Sequence, residues 1–190
     1  MSSPRFEQAL QYAALIHAGQ IRKGTEIPYL AHLLGVASIA MEHGANEDEA
    51  IGALLHDAGE DAGGSGRIED IRRRFGNAVA DIVAGCTDAV ENPKPPWRKR
   101  KEDYIVHIAH ASPSVRLVSA SDKLHNARAI LRDLREHGDA LWLRFTGGKE
   151  GSLWYYRALV NAFRQKNSGE LLDELERVVS EVERLAGISS

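Results

Sequence analysis

The sequence predicts an all-α protein, a helical bundle forming a single compact domain over residues 1–190. Three observations lead there. Apolar residues recur at three- and four-residue spacing along most of the chain, which is the period of one helix face. Glycine and proline punctuate these segments at intervals suited to helices of ordinary length. No run of alternating apolar and polar residues bounded by turns makes a convincing strand.

The elements follow in order. Phe6 to Ala18 carries the first helical pattern, and Gly19 is placed to end it. Arg22 to Pro28 is a connecting loop, interrupted by Gly24 and Pro28. A second helix is expected from about Ala31 to His43, stopped by Gly44. Asn46 followed by Glu49 has the spacing of a capping box and starts a third helix, which carries Leu54, Leu55, His56 and Asp57. Gly63-Gly64-Ser65-Gly66 is a flexible break, with helices expected at about 67–75 and 77–86. A proline-rich loop, Glu91 to Pro96, leads into a basic helix beginning at Trp97. Pro113 opens a helix holding Asp122 that runs to about Glu136. Gly147-Gly148 precedes a helix at 150–165. The last helix, 170–187, places Leu171, Leu175, Val178, Val182 and Leu185 on one stripe, suited to docking on the rest of the domain.

Composition narrows the function. Hydrophobic residues make up 43% and charged residues 27%, and the net charge of −3 argues against a general nucleic-acid or membrane binder. The single cysteine, Cys86, excludes an intramolecular disulfide framework and a cysteine-rich zinc site. The opening Met1-Ser2-Ser3-Pro4 lacks a signal-peptide pattern, and no apolar run is long enough for a membrane helix. A cytoplasmic location is expected.

The chemistry concentrates around His56-Asp57. On a continuous helix His56, Asp57, Glu60 and Asp61 fall within an arc of roughly 140°. Three carboxylates and an imidazole on one face of a helix that also carries Ile51, Ala53, Leu54 and Leu55 repel one another unless a cation sits there. A solvated acidic helix end before a glycine-rich loop fits the same residues equally well. His32 by itself fits a structural histidine, and Asp122-Lys123 by itself a surface ion pair.

Together these residues follow the order H…HD…D, and in that order the chain resembles the HD phosphohydrolase superfamily. Gly19-Gln20-Ile21-Arg22-Lys23-Gly24, Pro28-Tyr29 and His32 are similar to the first motif of the RelA/SpoT-type alarmone hydrolases. Leu54-Leu55-His56-Asp57 with Glu60-Asp61 resembles their second, and Phe75-Gly76, Val79, Ile82-Val83 and Thr87 their third. Asp122-Lys123-Leu124-His125-Asn126-Ala127-Arg128 looks like their D-[KR]-L-H-N-x-R motif. The resemblance spans about residues 5–165, without room for synthetase or regulatory domains, as in a stand-alone small alarmone hydrolase. Gly59, Ala62 and Leu33 depart from residues common in that family, and none of the three is a ligand.

The resemblance implies an HD-domain bundle and a divalent metal, manganese or another ion such as iron, zinc or magnesium, held by His32, His56, Asp57 and Asp122. Glu60 and Asp61 would then handle the attacking water and its proton. Arg22 and Lys23 can hold phosphate, and Asn126 ribose or phosphate. Lys99 and Arg100, within the basic stretch Lys94 to Lys101, would receive a remote diphosphate, or else form a solvated helix face. Tyr155 would shape a nucleotide pocket. The implied reaction is removal of the 3′ pyrophosphate from guanosine 3′,5′-bis(diphosphate). A broader HD nucleotide phosphatase and a non-catalytic alarmone sensor remain alternatives. The partner is a phosphorylated guanine nucleotide, with no nucleic acid and no membrane.

Overall fold

The structure, a computed structural model, describes residues 3–61, 64–88, 93, 95–166 and 168–187. Among them the regular structure is helical: α1 Pro4–Ile16, α2 Tyr29–Glu42, α3 Glu47–Leu55, α4 Ala58–Asp61, α5 Gly64–Phe75, α6 Asn77–Cys86, α7 Trp97–His110, α8 Pro113–His137, a 3-10 helix Gly138–Arg144, α9 Gly148–Arg164 and α10 Glu170–Leu185. The one extended pairing among these residues is an isolated bridge between Ile21 and Pro28. None of these helices is long and apolar enough to cross a membrane. The chain forms two compact units, residues 1–95 with 111–121, and residues 96–110 with 122–190.

In the first unit α3 is the central element. It packs against α1, α2 and α6, and Ala50, Ile51, Gly52, Ala53, Leu54 and Leu55 are all buried. A helix apolar on every side has to be surrounded, and this one is. The capping box forms as the spacing predicts, with Asn46 accepting from Glu49 N–H and Glu49 accepting from Asn46 N–H. Gly52 is required by close packing: a Cβ there would lie 2.6 Å from Ile82 Cγ2 on α6.

Helix ends differ from the sequence expectation where a cap outweighs periodicity. α1 starts at Pro4 because the Ser3 side chain accepts from Phe6 N–H and proline suits the first helical turn. α5 starts at Gly64, so the expected glycine break at 63–66 is helical from its second residue, and Gly64 enters the helix at φ 60°. The most consequential correction concerns His56 and Asp57. α3 ends at Leu55 and α4 begins at Ala58, so the pair occupies a junction and not one continuous helix with Glu60 and Asp61. Glu60 N–H reaches back three residues to Asp57 C=O at 3.2 Å, a tighter turn than an α-helix makes.

α1 and α5 are joined by a polar cluster. Tyr12 donates its hydroxyl to Asp70 at 2.6 Å, Arg74 and Arg73 donate to the same carboxylate, and the Arg74 guanidinium lies 4.9 Å from the Tyr12 ring centre. The Tyr12 bond first, then those of Arg74 and Arg73, depress the Asp70 carboxyl to about 2.

In the second unit α9 packs against α7 and α10. Ile130, Leu134, Leu141, Trp142, Leu153, Val182 and Ala186 form a core there. The α10 stripe is buried at Leu171, Leu175 and Val182. Leu172 and Val179 join that face, whereas Leu185 is exposed. Gly147 admits the Trp97 ring, 2.5 Å from where its Cβ would stand.

Gly52→Ala should destabilise the protein in chemical denaturation, because overpacking of about 1–3 kcal/mol exceeds the helix-propensity gain of about 0.5–1 kcal/mol; an unchanged or raised midpoint would contradict the close α3–α6 approach. The Asp70 carboxyl is depressed on folding, so its contribution is complete above its ordinary 3.8 and disappears as pH falls toward about 2. The stability gap between wild type and Asp70→Asn should therefore be open at neutral pH and close across that window, and a gap independent of pH would remove the cluster's role.

Candidate metal centre

Three of the predicted ligands meet in the first unit. His32 lies in the first turn of α2, which begins at Tyr29 directly after a tight loop. That loop is closed by Arg22 N–H to Ile27 C=O at 2.9 Å and Tyr29 N–H to Gln20 C=O at 2.9 Å. His56 and Asp57 arrive from the end of buried α3. His32 Nε2 stands 3.4 Å, and His56 Nε2 3.0 Å, from the same oxygen, Asp57 Oδ2. The imidazoles are each 2% exposed, their rings edge to face with centroids 5.2 Å apart.

Hydrogen bonding decides how His56 presents itself. Its Nδ1 is 2.8 Å from Ala53 C=O, an atom that only accepts, so Nδ1 carries the proton. In the neutral ring Nε2 is then a lone pair facing a carboxylate oxygen. Such an encounter is repulsive unless a cation mediates it. Two buried imidazolium ions sharing one carboxylate would meet the cost of desolvation and mutual repulsion. A single divalent ion among two nitrogens and an oxygen avoids both, and the three ligand atoms lie within 4.8 Å of one another. This donor set suits manganese, iron or zinc. The carbonyl bond to Nδ1 is the usual outer support of a metal-binding histidine.

Sequence reasoning missed Tyr29 as a site residue. Its hydroxyl donates to Asp57 Oδ2 at 2.5 Å, and its ring stacks on His17 and meets the edge of His32. The signal was its place three residues before His32, on the same helical face. Asp88 was missed too, although it follows the motif residue Thr87. Its backbone N–H donates to Glu60 Oε1 at 2.8 Å. Glu60 is thereby anchored, while the Asp61 side chain lies outside the described residues. Gly59, a departure from the resembling family, is explained by packing: a Cβ there would lie 2.7 Å from Thr87 Oγ1. Arg22 is half-buried and Lys23 exposed on the loop before α2.

The remaining candidates belong to the second unit. Asp122 is buried, accepting from Lys123 Nζ at 2.7 Å and Asn126 Nδ2 at 2.5 Å. Asn126, expected on ribose or phosphate, is thus engaged with Asp122. Burial lowers the Lys123 ammonium, but the Asp122 carboxylate, with Tyr155 and Tyr104, more than offsets this and holds it well above its ordinary value. Tyr155 is buried, with Lys101 Nζ 5.0 Å from its ring centre and Trp97 edge-on. Lys99 pairs with Asp103 on the exposed face of α7, and Arg98 stacks on Trp154 while bonding Glu102. Arg100 is half-buried, and Lys94 lies outside the described residues. Within the basic stretch, Lys101 and Arg98 face aromatic rings.

Comparison with known proteins places these residues in a family context. The HD-domain family model matches residues 9–152. The chain is 39% identical over 128 residues to guanosine-3′,5′-bis(diphosphate) 3′-pyrophosphohydrolase MESH1 of Xenopus tropicalis, covering 66% of this chain and 69% of that protein. It is 34% identical over 128 residues to the Homo sapiens protein of the same name, with the same coverage. A solved structure described as a metazoan ortholog of SpoT that hydrolyzes ppGpp superposes with a TM-score of 0.77 at 30% identity, covering 100% of this chain and 99% of that one.

Metal-free protein titrated with manganese or zinc should take up one equivalent, and His32→Ala and His56→Ala should each lose most of it. Stoichiometric binding at wild-type affinity by either variant, measured by calorimetry, would dismantle the centre.

Proposed function

The chain belongs to the HD-domain family, and from that premise we propose that it is a hydrolase of guanosine 3′,5′-bis(diphosphate), releasing GDP and pyrophosphate. The observation that carries the reading is the convergence of two buried imidazole nitrogens on one Asp57 oxygen. The proposed ligands are His32, His56, Asp57 and, on its sequence motif alone, Asp122. Manganese is the proposed ion. When bound it neutralises phosphoryl charge and makes water acidic enough to react near neutrality.

The protein's own residues do the rest. Water oxygen bonds to the phosphorus on O3′, the O3′–P bond breaks, O3′ takes up a proton, and pyrophosphate departs. Glu60, anchored through the Asp88 N–H, accepts the proton from water, with Asp61 as its proposed partner. Arg22 and Lys23 bind phosphate, Arg22 through its planar fork. Tyr155, buried beneath Lys101, shapes the pocket from behind and holds that ammonium toward the nucleotide's charge. Asn126 acts through its bond to Asp122, and Lys99 and Arg100 contribute charge toward the second diphosphate. A cytoplasmic setting belongs to the same proposal, because a free charged nucleotide does not cross a bilayer unaided and its hydrolase has to share its compartment.

Metal-loaded protein incubated with a nucleotide panel, with products separated by ion exchange, tests this. GDP and pyrophosphate should form in equal amounts and cease on chelation. Glu60→Gln should retain the metal and lose roughly 10²-fold or more in kcat. Release of orthophosphate, equal turnover of nucleoside monophosphates, or full activity in Glu60→Gln would each count against the assignment.

A further inference from the structure

We propose that Tyr29 is a positioning residue for the metal centre, fixing the Asp57 carboxylate as a ligand, and that His17 and Gln20 hold Tyr29 in place. This rests on the metal-centre reading above. Asp57 sits in the junction between α3 and α4, where no regular helix constrains it, and its side chain is 21% exposed. Rotation of that carboxylate would break the convergence of His32 Nε2 and His56 Nε2 on one oxygen. The Tyr29 hydroxyl opposes that rotation with a bond at 2.5 Å, in the range of a short hydroxyl-to-carboxylate contact.

The phenol is itself tightly located. Its backbone N–H donates to Gln20 C=O at 2.9 Å. The His17 ring stacks on it, 5.3 Å between centroids and 20° between planes. His17 is 4% exposed, and its Nδ1 meets Gln20 Oε1 at 2.7 Å, which sets the plane of the stacked ring. Gln20 therefore supports Tyr29 twice, through its backbone and through His17. His32 closes the other side edge-on at 5.4 Å. A buried histidine with no part in the proposed chemistry thus acquires a use. The arrangement orders a ligand before the ion arrives, so less freedom is lost on binding.

The test is metal affinity and release. Metal-free wild type and Tyr29→Phe are titrated with manganese by calorimetry, and loaded protein is then mixed with excess chelator to follow release. Tyr29→Phe removes one oxygen from a ring that keeps its stack, and circular dichroism verifies its helices. The dissociation constant should rise roughly 10- to 100-fold, the usual effect of losing an outer-shell partner, with faster release. Equal affinity and equal release would overturn the positioning role. If wild type itself takes up no manganese, the metal reading fails, and that is seen before any variant is compared. Should Tyr29→Phe not fold, His17→Phe decides: release accelerated severalfold supports the clamp, and an unchanged rate overturns it.

Discussion

A neutral His56 whose Nδ1 proton is engaged by the Ala53 carbonyl turns a bare Nε2 at the Asp57 carboxylate, an arrangement that an uncharged ring and an ionised acid do not hold by themselves. The Ala53 carbonyl fixes the His56 tautomer and turns Nε2 toward Asp57, and burial of α3 on all sides leaves that ring little room to turn away. The surroundings of the junction serve this constraint. Gly52 lets α6 close against α3, Gly59 lets Thr87 approach α4, and the Asp88 N–H catches Glu60. A cation resolves the electrostatic conflict, and hydrolysis of a polyanionic substrate is a use for a cation with exchangeable positions.

The second unit contributes a different kind of chemistry. Lys101 and Lys123 approach the rings of Tyr155 and Tyr104, and Arg98 lies against Trp154. Cations held on aromatic faces keep their charge while losing mobility. Lys123 illustrates the balance: desolvation works against its charge, and the neighbouring Asp122 carboxylate prevails.

Much of this was legible because it is local. The Asn46–Glu49 capping box, the proline start of α8 and the glycine stops after α1 and α2 are decided by neighbours a few residues apart. His32, His56 and Asp57 were legible for another reason, the order and spacing of motifs. The continuous helix expected through His56 and Asp57 breaks after Leu55, and the pair meets His32 from a junction between α3 and α4. Tyr29, Asp88 and His17 escaped notice because their roles depend on partners far off in sequence, such as the bond from Tyr29 to Asp57. The basic stretch was visible as composition, and the i,i+4 spacing of Lys99 and Asp103 is local to α7, but the approach of Lys101 to Tyr155 arises only once α7 lies against α9.

The most direct test of the central claim is a crystal of the manganese-loaded protein with anomalous diffraction at the metal edge. The account predicts one strong peak among His32 Nε2, His56 Nε2 and the Asp57 carboxylate, each at roughly 2.0–2.3 Å, as nitrogen and carboxylate ligands of such ions are. A loaded crystal with no peak there, or with the ion bound elsewhere and His56 Nε2 still facing Asp57 Oδ2 directly, would contradict it.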